Sequence, residues 1–129
     1  MEALRRLACR RISLLMPYLM PTAEMVADFF EAEGFTLDRI ATFDLPGDAA
    51  INTVSAERIA DAGRELCAPE SDALFISCTG WRTHSVIDRL ETALQRPVLT
   101  SNQTLAWSAL RSAGVKDQTH GQGTVFERL

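Results

Sequence analysis

Four short apolar runs, separated by stretches of helical spacing, restrict this chain to few folds. The runs are Arg11–Met16, residues 35–43, Ala73–Ile76 and Val98–Thr100. Each is β-prone and ends in turn-forming or small polar residues, as strands do. In the second, Leu37, Ile40 and Phe43 alternate imperfectly. The first intervening stretch starts at Thr22, a good N-cap, turns Met25, Val26, Phe29 and Phe30 inward, and stops at Gly34, where a C′ glycine belongs. Ser55 caps the next, which runs to Cys67 with Ile59, Ala62, Gly63 and Leu66 on its apolar face. Val86, Ile87, Leu90, Ala93 and Leu94 mark a third helix; Leu105, Ala106, Ala109, Leu110 and Ala113 mark a fourth, closed by Gly114. Residues 1–10 read as the tail of a helix, 45–53 as a loop and 124–126 as a short terminal strand.

Such alternation demands right-handed crossovers and parallel strands covered on both faces. The expected fold is α/β: a single doubly wound domain over residues 1–129, with a parallel sheet of about four strands. Three strand ends carry polar or turn chemistry: Pro17-Tyr18, Ser77-Cys78-Thr79 and Ser101-Asn102. In an open α/β sheet these ends gather on one edge, and ligands bind there.

Composition removes whole classes of function. With 47% hydrophobic and 23% charged residues over 129 positions, the chain can bury a real core. A formal charge of -4 and a pI near 5.1 argue against nucleic acid, whose phosphates need a basic surface. Cys9, Cys67 and Cys78 are odd in number and unpatterned, which fits reduced thiols in a cytoplasm. With two histidines they make no ligand cluster, so no metal site is expected. The arginines at Arg5, Arg6, Arg10 and Arg11 precede no leader-like apolar core, and no run reaches the length of a membrane span.

The third strand carries the chemistry. Ser77-Cys78-Thr79-Gly80 suits a tight turn, and a helix is expected a few residues later. Cys78 would then lie near a helix N-terminus, whose free N–H groups favour a bound anion and a thiolate. A lone cysteine after an apolar strand is also, as a type, a small buried hydrophobe. The polar neighbours on both sides weigh toward function. The spacing to Arg82 does not match a phosphatase-type phosphate loop, in which the arginine would fall at His84. Arg82 is able to hold a carboxylate bidentately, though like His84 it better suits a solvated helix start, and His120 sits among glycines with no partner pattern.

Four segments in order, residues 11–18, 29–35, 73–79 and 97–103, resemble the aspartate/glutamate racemase superfamily. The nearest branch is that of maleate isomerases, arylmalonate decarboxylases and ectoine-utilisation proteins. Its members are built from two similar α/β halves with a carboxylate held between them, and this chain resembles the second, C-terminal half. The resemblance implies that Cys78 is the second-half catalytic cysteine, that Tyr18 of the Pro17-Tyr18 pair binds a substrate carboxylate, and that Thr79 and Gly80 bind its other polar end. Asn102 falls at the ligand edge, or serves as a helix N-cap. The substrate would be a small mono- or dicarboxylate, without cofactor. The chain would self-associate or pair with a first-half domain. Three departures stand out: Met16 replaces a threonine, Trp81 is bulky, and Asp48 lies nearest the position of an isomerase asparagine.

Overall fold

In a computed structural model, which describes residues 1–128, the four apolar runs form one parallel sheet. Strands β1 (Arg11–Met16), β2 (Thr36–Thr42), β3 (Ala73–Ile76) and β4 (Val98–Thr100) are ordered β2-β1-β3-β4. The chain leaves β1 for one side of the sheet, then returns past it to build the other side. That reversal makes a switch point between β1 and β3.

Side chains alternate across the central strands. Ile12, Leu14, Phe75 and Leu99 face one layer, which contains α1 (Glu2–Arg6), α2 (Met20–Ala32) and α6 (Ser101–Ser112). Leu15, Leu74, Ile76 and Val98 face the other, with α3 (Asp48–Ile51), α4 (Ala56–Leu66) and α5 (Ile87–Leu94). Opposite faces for opposite directions of travel are what right-handed crossovers require. Gly63 lets α4 approach β3 closely: a Cβ there would stand 2.9 Å from a methyl of Leu74. Gly34, at φ +87°, takes the left-handed C′ position expected of it.

Four expectations need correction. Helix α2 begins at Met20, with Leu19 as N-cap rather than Thr22. Pro21 is tolerated in the first turn because its missing N–H would have no helical partner, and Asp44 accepts the Met20 N–H at 3.1 Å. The inward face of α2 is Ala23, Val26, Ala27 and Phe30, while Met25 and Phe29 are 71% and 55% exposed. The alanines allow close packing on the sheet, and the apolar pair one row away is left outside. The 45–53 loop contains the short helix α3. Residues 124–126 are helical, as part of α7 (Thr124–Arg128), not a strand. An extended segment would turn Val125 and Phe126 to opposite sides, whereas the helical turn buries both in one cluster. The Glu91 carboxylate, which also holds the Val98 N–H, accepts the Thr124 N–H and hydroxyl.

Candidate functional site

The segments leaving β1 and β3 meet at the switch point and bring Tyr18 and Cys78 together. Pro17 is buried, and the Tyr18 backbone is held where it leaves the sheet, since its carbonyl accepts the Thr42 hydroxyl. Tyr18 is half-buried and packs against both core clusters. Burial pushes its phenol pKa above the usual value near 10; the charge of the adjacent Cys78 and its hydrogen bonding add to this, as does Asp48, while Ser77 acts the other way. The phenol oxygen thus lies beside both the thiol and the Ser77 hydroxyl. It stays a neutral O–H donor at neutral pH.

Cys78 is only 3% exposed and belongs to the cluster of Ile51, Trp81 and Val86. Trp81 explains its own bulk: it is core. Its Nε1 donates to the Ile51 carbonyl at 3.1 Å, and its ring meets Phe43 edge-on at 5.2 Å. The expected helix N-terminus beside Cys78 is absent from that place. A 3₁₀ turn occupies His84–Val86, and α5 begins only at Ile87, so no helix starts directly after the Cys78 turn.

Thr79 and Gly80 are exposed beyond the thiol, and another helix reaches them. Asn102, in the first turn of α6, donates its amide to the Thr79 carbonyl at 2.9 Å. The α6 N-cap is Thr100, which forms a capping box with Gln103, so Asn102 is not the cap. A cavity of about 620 Å³ continues from Thr79 and Gly80, lined by Arg82, His84, Asn102 and Phe126 among others. It borders the turn but contains neither Cys78 nor Tyr18, so the chemistry is located by the side-chain pair and not by this cavity.

Two residues on α3 complete the surroundings. Asp48 contributes to the upward shift of Tyr18, which puts its charge within electrostatic reach of the site. Asn52, the C-cap of α3, went unnoticed in the sequence; its Oδ1 lies 2.8 Å from where a Cβ on Gly80 would stand. The one signal was its position a helical turn after Asp48, which has meaning only once 48–51 is known to be helical.

The remaining thiols belong elsewhere. Burial, then the nearby Asp72, pushes Cys9 up to about 11. Burial also raises Cys67, against the pull of Arg96 and Arg39. His120 is exposed near Glu127, away from the site. Among the described residues, no group of histidine, cysteine and carboxylate side chains is arranged to hold a metal ion. No described helix is long and apolar enough to cross a membrane.

This arrangement has close parallels among known proteins. A maleate isomerase of Nocardia farcinica is 31% identical over 128 residues, covering 98% of this chain and 51% of that protein. An arylmalonate decarboxylase of Bordetella bronchiseptica is 29% identical over 134 residues, covering 98% and 54%. The solved Nocardia farcinica maleate cis-trans isomerase, a mutant with a covalently bound succinylcysteine intermediate, superposes with a TM-score of 0.94 at 29% identity, over 99% of this chain and 53% of that one. The chain thus spans about half the length of the curated relatives it matches. With residues 1–126 matching the arylmalonate decarboxylase family, this chain belongs to that family.

Proposed function

We propose that this chain, as one α/β unit, is the C-terminal half of a cofactor-independent, cysteine-dependent isomerase, racemase or decarboxylase, with Cys78 as its catalytic residue. One observation carries the reading: Tyr18 and Cys78 adjoin at the switch point of a chain of this family. In this reading Tyr18, Thr79 and Gly80 bind a small mono- or dicarboxylate, with Pro17 fixing the tyrosine and Asn102 steadying the turn. A phenol kept protonated donates to a carboxylate oxygen. Toward a cis-enedioate, the Cys78 thiolate sulfur adds to one alkene carbon, and the displaced electron pair moves to its neighbour, which takes a proton from a facing acid. The carbon–carbon bond, now single, rotates; removal of that proton and expulsion of sulfur restore the thiolate and give the trans isomer. The facing acid would come from a complementary half, because the relatives are about twice as long. Exposed Leu19, Met20, Met25, Phe29 and Leu105 support pairing with such a half, or self-association. Three unpaired cysteines fit a reducing, cytoplasmic setting.

The half-length span also favours a second reading, a half-domain that binds a carboxylate without turning it over. The purified chain and its Cys78→Ala variant are assayed with maleate, aspartate, glutamate and an arylmalonate. No turnover above background is expected from the chain alone, since removing one of two groups that act as a unit costs most of the catalysis. Turnover that vanishes in the variant would show that one half suffices and would overturn this division of labour.

A further inference from the structure

We propose that Asn52 is a substrate-binding residue of this site, and that position 80 is glycine in order to admit its amide. The proposal rests on the carboxylate-binding reading given above. Cys78 Sγ lies 3.8 Å from the position of a Cβ on Gly80, and Asn52 Oδ1 lies 2.8 Å from that same point. Thiol and amide therefore flank one small volume beside the turn. Gly80 does not adopt a left-handed backbone conformation, so its lack of a side chain answers a need for space and not for φ. The space is taken by the Asn52 amide.

That amide is uncommitted. Asn52 is exposed, and among the described residues its side chain makes no hydrogen bond; only its backbone N–H is used, by the Asp48 carbonyl at 2.9 Å. Asn102 differs, having given its amide to the Thr79 carbonyl. The Asn52 backbone is nonetheless fixed, because Trp81 grips the preceding carbonyl of Ile51 at 3.1 Å. The atom at that point is Oδ1, and since no described residue holds the amide, a half-turn about the Cβ–Cγ bond brings its two Nδ2 donors there, to face a carboxylate oxygen beside the sulfur. The amide also offers that oxygen a neutral donor on the same short helix that carries the repelling Asp48.

The test is a titration of the whole chain with propionate and with succinate, followed by the amide resonances of Thr79, Gly80 and the Asn52 side chain. All three are expected to shift together. Asn52→Ala should weaken binding about tenfold, the worth of a hydrogen bond to a charged group. Gly80→Ala should do the same by displacing the amide, and the double variant should be no worse than either single one. A thermal melt checks that both variants remain folded. If Thr79 and Gly80 respond while Asn52 does not, or if Asn52→Ala binds as tightly as the parent, the inference fails and the carboxylate reading survives. If Thr79 and Gly80 do not respond at all, the carboxylate reading fails and takes this inference with it.

Discussion

The two edges of the sheet carry similar polar residues and use them in opposite ways. At the amino edge the buried polar side chains all have partners. Ser13 Oγ accepts the Ala68 N–H and meets Ser71 Oγ, both at 2.9 Å. Ser71 donates in turn to Asp38 at 2.7 Å, and Asp38 pairs with Arg11. Asp72 accepts the N–H groups of Arg10 and Arg11 at 2.8 Å, and Arg96 gathers the carbonyls of Ala68, Pro69 and Ser71. At the carboxyl edge Asn52, Arg82 and His84 have no hydrogen-bond or ion-pair partner among the described residues. Tyr18 and Cys78 are close but only loosely engaged. Saturated polar groups fix structure; unsaturated ones beside a thiol are available to a ligand.

Breaking the amino edge should therefore cost stability and spare binding. The largest effect is expected from Asp38→Ala, whose carboxylate is 2% exposed. Its loss removes the acceptor of the buried Ser71 hydroxyl, while half-exposed Arg11 stays hydrated, and should destabilise by about 2 kcal/mol in chemical denaturation. Asp72→Asn should act through pH. Burial opposes ionisation of Asp72, but the N–H groups of Arg11 and Arg10 and the charges of Arg11 and Arg96 outweigh it and hold the pKa below its ordinary 3.8. A carboxylate with a depressed folded pKa adds stability above its unfolded pKa and loses it as pH falls through the folded value. The melting temperature of Asp72→Asn should thus lie below the parent's at pH 7 and converge with it below about pH 4. At the carboxyl edge the expected effect is smallest and of opposite kind. Asp48→Asn should leave the melting temperature unchanged and tighten succinate binding several-fold, by removing a charge that repels a dianion. If the two edges responded alike, the contrast between them would fall.

How far the sequence could be read follows from the range of the interactions involved. The four strands and the stop at Gly34 depend on local apolar runs and turn residues, and they were legible. So was the gathering of Tyr18 and Cys78 on one sheet edge, whereas their adjacency depends on β1 pairing with β3, which no local pattern announces. The inward face of α2 was not, because Met25-Val26 and Phe29-Phe30 offer two adjoining apolar rows and only the sheet chooses between them. The helix at 124–128 was hidden because Glu91, distant in sequence, supplies its capping partner. Asn52 was illegible for the same reason: its meaning lies in the space above Gly80.

The central claim is that the ends of β1 and β3 form one site in which Tyr18 senses Cys78. Tyr18 is the single tyrosine of the chain, so phenolate absorbance titrates this residue alone. The midpoint should lie above the ordinary value near 10. It should fall in Cys78→Ala, which removes the neighbouring thiol, and stay unmoved in Cys9→Ala and Cys67→Ala. An unshifted midpoint, indifferent to Cys78, would contradict the account.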